Sequence, residues 1–325
     1  MTETLTMAKA LNRGLRRALQ ADPKVLLAGE DIGKLGGVFR ITENLQAEFG
    51  ENRVIDSPLA ESGIVGTAIG LCMRGYRPVV EMQFDGFVFP AFSQIVTQVA
   101  KLHMRTGGQT PMPMVIRIPY GGGIGAIEHH SESPEAYFAH TPGLKVVTCA
   151  NSNDAYWMMQ QAIQSDDPVV FLEPKRRYQT KSTVNFSARP EPMHQASITR
   201  YGTDATLLCY GPMVKTCLDA ATVAAEEGMS LEVVDLRTLS PVDWVTIMSS
   251  VRRTKRAVVV HEAPLTLGLG AEIAARLHQD LFYVMESPVL RVAGYDMPYP
   301  PSRVEEEYLP SVDRILDAVD QSLNY

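Results

Sequence analysis

RVIDSPLAESGIVGTAIGL, residues 53–71, reads as a short apolar strand, a turn at Ser57-Pro58, and then a helix entered at Glu61. The same strand-then-helix alternation runs along the chain. Apolar, β-rich runs stand at VLLAGE (25–30), PVVEMQF (78–84), MVIRIPY (114–120), KVVTCA (145–150) and VVFLE (169–173). Between them the period changes to that of a helix, most clearly in AFSQIVTQVAKLHM (91–104), where Phe92, Ile95, Val96, Val99 and Leu102 form one stripe. Strands apolar on both faces and separated by helices predict a largely parallel sheet covered on both sides. From Glu173 to Arg200 the period lapses around Pro174, Pro190 and Pro192. A second α/β unit follows, with strands at 205–211, 231–237, 256–262 and 289–294 and helices near 213–227, 242–252, 271–280 and 311–323. The expected division is 1–185, a linker 186–200, and 201–325.

The chain has 325 residues, more than one hydrophobic core usually serves, which agrees with two units. Hydrophobic residues make up 45% and charged residues 21%, a globular balance that excludes a disordered chain or a coiled-coil rod. A net charge of -7 argues against nucleic acid as the main partner. No run approaches the ~20 apolar residues that span a bilayer. The opening MTETLTMAKALNRGLRRALQ reads as a capped amphipathic helix rather than a secretory signal, so a soluble cytoplasmic protein is expected. Cys72, Cys149, Cys209 and Cys217 form no C-x-x-C pair and signal neither a zinc site nor a redox dithiol.

Two glycine-rich stretches fail as nucleotide signatures. GEDIGKL (29–35) is one residue short between its glycines for a P-loop and has Leu35 where a hydroxyl is needed; HEAPLTLGLGAEIAA (261–275) has Ile273 where a third glycine or alanine belongs. GGGIG (121–125) reads as a flexible, ligand-facing loop after a strand. Glu61 alone is explained by the helix dipole, which favours an acid in the first turn by ~0.3 to 1 kcal/mol. The residues after it add to this. Gly63, Gly66 and Gly70 lie on nearly one face, at roughly 1 kcal/mol each, and predict a deeply buried helix in close contact with another backbone. A carboxyl at its mouth is then expected to be desolvated and its pKa raised.

PLAESGIVGTAIGL (58–71), EMQFDGFVFPAFSQI (81–95), EHHSESPEAYFAHTPGLKVV (128–147), VVFLEPKRRY (169–178), HEAPLTLGLGAEIAA and PYPPSR (298–303) together resemble the β subunit of the thiamine-dependent 2-oxo acid dehydrogenases, in their decarboxylating component. The resemblance runs over nearly the whole chain. It implies a pyrimidine-binding thiamine diphosphate fold with a mostly parallel sheet, followed by an α/β domain like the C-terminal domain of transketolase.

By the same resemblance, Glu61 meets the pyrimidine N1′ of thiamine diphosphate, Leu59 and Phe87 contact that ring, and His130 and Gln83 face the substrate. Read locally, Phe87 is equally a core residue of an aromatic stretch and His130 a polar surface histidine; His140 reads as structural. His130 is the histidine of the shared H-S-x-S-P-E pattern, with an implied part in binding substrate and in acyl transfer to lipoamide. The chain has no Gly-Asp-Gly, the start of the family's diphosphate and Mg2+ motif. The resemblance therefore implies that Mg2+ is held by an α subunit in an α2β2 assembly, which passes acyl groups to a dihydrolipoyl acyltransferase core. Branched-chain relatives carry a K+ site with an acid at Ser165 and an amide at Asp167, so this chain departs from that pattern. HSESPEAYFAHTPG (130–143) favours a branched-chain 2-oxo acid as substrate, 3-methyl-2-oxobutanoate and its homologues, over pyruvate. A non-catalytic assembly subunit is the remaining alternative.

Overall fold

The computed structural model describes all residues from Met1 to Tyr325. Its larger sheet has seven strands in the order Thr238–Ser240, Lys145–Thr148, Val169–Pro174, Val115–Tyr120, Arg77–Glu81, Val25–Gly29, Val54–Asp56. All neighbours pair in parallel except the first, an antiparallel strand lent by the second half of the chain. Val25–Gly29, Val115–Tyr120 and Val169–Pro174 are buried at every position, as strands covered on both faces must be. The second sheet has five strands, Leu290–Gly294, Ala257–Pro264, Ala205–Cys209 and Leu231–Asp235 in parallel, with Ser197–Arg200 antiparallel at its edge. One cluster of 37 buried apolar residues contains Ile116 and Phe138 of the first unit and Leu208, Val259 and Ile273 of the second, so the two units share a core.

The start of the chain differs from the single amphipathic helix expected there. Thr2–Thr6 is a strand paired antiparallel with Lys181–Asn185, and the helix begins at Met7 with Thr6 as its cap. The partner strand lies far along the chain, so local periodicity carries no sign of it. The helix Met7–Ala21 then packs on Ser152–Gln164. Gly14 allows that approach, since a Cβ there would lie 3.0 Å from the Tyr156 carbonyl oxygen. Ser197–Arg200 likewise falls within the stretch that has no period in sequence.

The segment expected as one helix over 91–104 is instead a 3-10 segment Asp85–Ala91, a π-helical segment Gln94–Val99 and an α-helix Ala100–Arg105. Pro90 supplies no N–H to a regular helix there, and π-helical insertions are often found at functional sites. The helix Glu61–Met73 also departs from expectation. It buries Glu61, Ile64, Val65, Ala68 and Cys72, but Gly63, Gly66 and Gly70 are exposed. A Cβ added at Gly66 or Gly70 would meet nothing within 4 Å. The glycine face therefore approaches no other part of this chain, and the helix is half-buried rather than deep. No helix is long and apolar enough to cross a membrane.

Candidate active site

In open parallel sheets, ligands gather at the carboxyl ends of the strands, and five strands of the larger sheet bring chemistry-bearing residues to that edge. Glu30 follows Val25–Gly29. Glu61 stands beyond Val54–Asp56, Gln83 to Phe87 follow Arg77–Glu81, the loop to His130 follows Val115–Tyr120, and Lys175 follows Val169–Pro174. The helix Glu61–Met73 packs against the segment Asp85–Ala91, which packs against the 3-10 turn Glu128–His130. One segment, Asp85–Ala91, thus lies between the helix begun by Glu61 and the turn that ends at His130.

Glu61 is the first residue of its helix and only 7% exposed, and Ala60 before it provides no side-chain cap. Beside it lies Glu30, a residue the sequence reading passed over inside a failed P-loop match. Burial, then the neighbouring charge of Glu61, raise the Glu30 carboxyl above its ordinary value. Glu30 Oε1 is buried without a hydrogen-bond partner. An acid directly after a fully apolar strand was the available signal. Leu59, two residues before Glu61, is 83% exposed.

The other predicted residues form an aromatic and polar group. His130 stacks on Phe84 with ring centroids 3.9 Å apart and an angle of 25°, and meets Phe87 edge-on at 5.1 Å. Phe84 was not singled out from the sequence, whereas Phe87 was. His130 Nδ1–H donates to the His129 carbonyl at 2.9 Å, which leaves Nε2 free. Burial, together with the charges of His129 and Lys175, lowers the His130 pKa and favours the neutral ring near pH 7. Gln83 Nε2 donates to Asp31 Oδ2 at 2.9 Å, which ties it to the loop after Val25–Gly29. His140 is exposed at the end of the helix Glu135–Ala139.

Beneath these rings lies a buried pair, Asp85 and Lys175, both essentially solvent-free. Burial pushes the Asp85 carboxyl up to about 6 against the pull of Lys175, and the Lys175 pKa is lowered, also by burial first. Lys175 lies over the Phe84 ring at 5.6 Å. Deeper in the sheet, Arg117 bridges Glu81 and Glu173. A cleft of about 330 Å3 opens between the units beside this group, lined in part by Asp85, Glu132, Tyr137, Glu262 and Tyr299.

GGGIG is not a free ligand-facing loop. The N–H groups of Gly122, Gly123 and Gly125 are already bonded to Glu262 and Glu305 of the second unit. At the departed K+ positions, Lys145 Nζ lies 3.2 Å from Ser165 Oγ and 2.9 Å from Asp167 Oδ2. No group of three or more His, Cys, Asp or Glu side chains is placed to hold a metal ion.

Comparison with known proteins adds to this geometry. Residues 3–181 match the family model for the transketolase pyrimidine binding domain, and 194–315 that for the transketolase C-terminal domain. The chain is 60% identical over 323 residues, 99% of its own length and 96% of the relative's, to "Pyruvate dehydrogenase E1 component subunit beta" of Leifsonia xyli. It is 51% identical over 324 residues, 99% of its length and 93% of the relative's, to "3-methyl-2-oxobutanoate dehydrogenase subunit beta" of Mycobacterium tuberculosis. A solved structure titled "Split gene transketolase, inactive beta4 tetramer" superposes with a TM-score of 0.82 over 98% of both chains at 23% identity, a likeness of fold.

Proposed function

We propose a function from one premise: the chain belongs to the β-subunit family of the 2-oxo acid dehydrogenase E1 component, a thiamine diphosphate-dependent family. The reading is that this chain supplies the pyrimidine and substrate side of a decarboxylating site that an α subunit completes. The observation that carries it is the strand edge where the buried acids Glu61 and Glu30, the latter with an orphaned oxygen, are joined through packed segments to a stacked histidine with a free Nε2.

These residues fit half of the cofactor. The unpaired buried Glu30 oxygen calls for a donor, and the amino group on the cofactor's pyrimidine is one. Glu61 would hold the pyrimidine nitrogen, with Phe87 and Leu59 against the ring. The diphosphate and Mg2+ ask for clustered oxygen ligands, and those fall to the α subunit. When bound, the cofactor supplies a nucleophilic ring carbon and an electron sink for decarboxylation. Glu61, shielded from water, would keep its hydrogen bond to the pyrimidine free of competition from solvent. With Nδ1–H committed, the neutral Nε2 of His130 is an acceptor; it would take up a proton there and, once protonated, donate to the substrate carboxylate or carbonyl and pass the proton on during acyl transfer to a lipoyl group of an acyltransferase core. Gln83 orients the substrate from the same side.

The exposed glycine face of Glu61–Met73 is the surface on which another backbone can lie closely, which supports docking of the α subunit there. The Lys145 ammonium, held between Ser165 and Asp167, supports an assembly in which a tethered cation stands in for potassium. For the substrate, the 60% identity to a relative named for pyruvate supports pyruvate. The branched-chain reading is kept as the second, favoured by HSESPEAYFAHTPG and by the relative at 51%. Reconstitution with the α subunit, thiamine diphosphate and Mg2+ decides between them: kcat/KM at least about tenfold higher on pyruvate than on 3-methyl-2-oxobutanoate is expected, and the reverse order establishes the branched-chain acid. No decarboxylation of either acid removes the catalytic reading.

A further inference from the structure

The loop that carries His130 is closed at its base, where Gly121 N–H donates to the Glu132 carbonyl at 2.9 Å. Gly121, Gly123 and Gly125 have φ of +81°, +82° and +70°. A backbone that switches hand at alternate residues turns its N–H groups to one side and forms a concave anion-binding nest. The anions in this nest are carboxylates of the second unit. Glu262 Oε2 accepts from Gly122 N–H at 3.0 Å. Glu305 accepts from Gly123 and Gly125 at 2.9 and 3.0 Å, one oxygen each.

These acids are themselves held. Tyr299 Oη donates to Glu305 Oε1 at 2.7 Å, and Arg176 pairs with Glu262 at 3.4 Å. A Cβ at Gly122 would fall 1.8 Å from Tyr299 Oη, so the loop is moulded against the second unit. On its return, His130 N–H donates to Ile127 O, Ser131 Oγ–H to Ala126 O, and Glu132 N–H to Asp85 Oδ2. The base is thus fixed inside the first unit and the arch by the second. Apolar burial does little for the arch, since Ile124 and Ile127 are exposed.

We propose that Glu305 and Glu262 are positioning residues for His130, acting across the interface between the units by holding the arch of its loop. This rests on the role assigned to His130 above. The charge-assisted bonds replace water as the partners of three loop N–H groups and fix the direction in which the His130 ring is delivered.

The test uses the full complex with wild-type α subunit and two rates: 2-oxo acid decarboxylation with ferricyanide as electron acceptor, and acyl transfer to a lipoyl domain. Glu305→Gln is expected to lower lipoyl-linked kcat about tenfold while the ferricyanide-linked rate falls less than about threefold. Amide exchange in residues 121–127 should rise about tenfold or more. Should Glu305→Gln fail to assemble, the same readouts are taken from Tyr299→Phe, which removes only the hydroxyl that orients Glu305. An equal fall in both rates, or unchanged exchange, overturns the proposal by showing a merely structural contact. His130→Ala is measured in parallel. If it leaves lipoyl transfer intact, the His130 role fails and the positioning proposal with it; if it abolishes transfer while Glu305→Gln or Tyr299→Phe does not change it, only the positioning proposal fails.

Discussion

Two histidines, one beyond a strand end and one inside a strand, show how differently the two units use a histidine of their parallel sheets. His130, after Val115–Tyr120 of the first unit, commits Nδ1 to a carbonyl and leaves Nε2 free. His261, within Ala257–Pro264 of the second, donates from Nδ1 to the Ala263 carbonyl and accepts at Nε2 from Gly270 N–H. Burial lowers its pKa to about 4, so it is a neutral, fully paired core residue. The acids divide the same way. Glu30 keeps an unpaired oxygen at the first edge, while Glu262 and Tyr210 of the second unit spend their groups on Gly122 and Glu135 of the first. At these residues the first unit presents unused hydrogen-bonding capacity and the second uses its own to hold the first in shape, although Asp235 Oδ2 and Arg237 Nε of the second unit are buried without partners as well.

If that division is right, the largest effect comes from Glu61. In the assembled complex Glu61→Gln should reduce decarboxylation by about 10² to 10⁴-fold with assembly retained. Steady-state turnover checks this, together with sedimentation of the complex, and residual activity within tenfold of wild type would break the comparison at its first member.

Next comes Glu135, the buried acid that Tyr210 reaches from the second unit at 2.7 Å. Burial pushes it up to about 7. A carboxyl whose folded pKa is raised binds more protons folded than unfolded, so the stabilisation is complete below its ordinary value near 4.5 and is lost as pH rises through 7. Over that window wild type should lose about 3 kcal/mol that Glu135→Gln does not. Urea unfolding between pH 5 and 8 reads the difference in slope, and parallel slopes would show that burial does not hold this group neutral against the opposing pull of the Tyr210 hydrogen bond.

The glycine face sharpens the contrast on the first unit. Gly66→Leu has open space within the chain. Its folded stability should hold or rise by up to ~1 kcal/mol from helix propensity, while binding of the α subunit weakens by about 1 to 3 kcal/mol through overpacking. Thermal melts of the chain and a titration with α separate the two. The smallest effect is at Lys145, whose pairing with Asp167 is partly exposed. Lys145→Ala should cost no more than ~1 kcal/mol, and added KCl, but not NaCl, should restore the thermal midpoint of the variant while leaving wild type unchanged.

The alternation of strand and helix was legible because each strand of the parallel sheets is apolar in its own sequence, and Val25–Gly29, Val115–Tyr120 and Ala205–Cys209 lie where their runs place them. Glu61, Phe87 and His130 were assigned to the site by motif resemblance alone, and the elements that carry them pack in sequence against one another. What was hidden depends on distant partners. Thr2–Thr6 becomes a strand through Lys181–Asn185, and GGGIG is ordered by Glu262 and Glu305, 140 and more residues away. The glycines of Glu61–Met73 predicted a close backbone contact that this chain does not itself make, because their pattern carries no information on what, if anything, lies against that face. His130 and His261 are likewise indistinguishable as letters, because only the bonds at both ring nitrogens separate them.

The most direct measurement is the rate of proton exchange at C2 of thiamine diphosphate bound to the assembled complex, followed by quenched-flow NMR without any 2-oxo acid present. The account expects Glu61→Gln to slow that exchange by about 10²-fold or more relative to wild type with cofactor affinity changed far less. Exchange at the wild-type rate in the variant would contradict the claim that this chain contributes the acid half of the site.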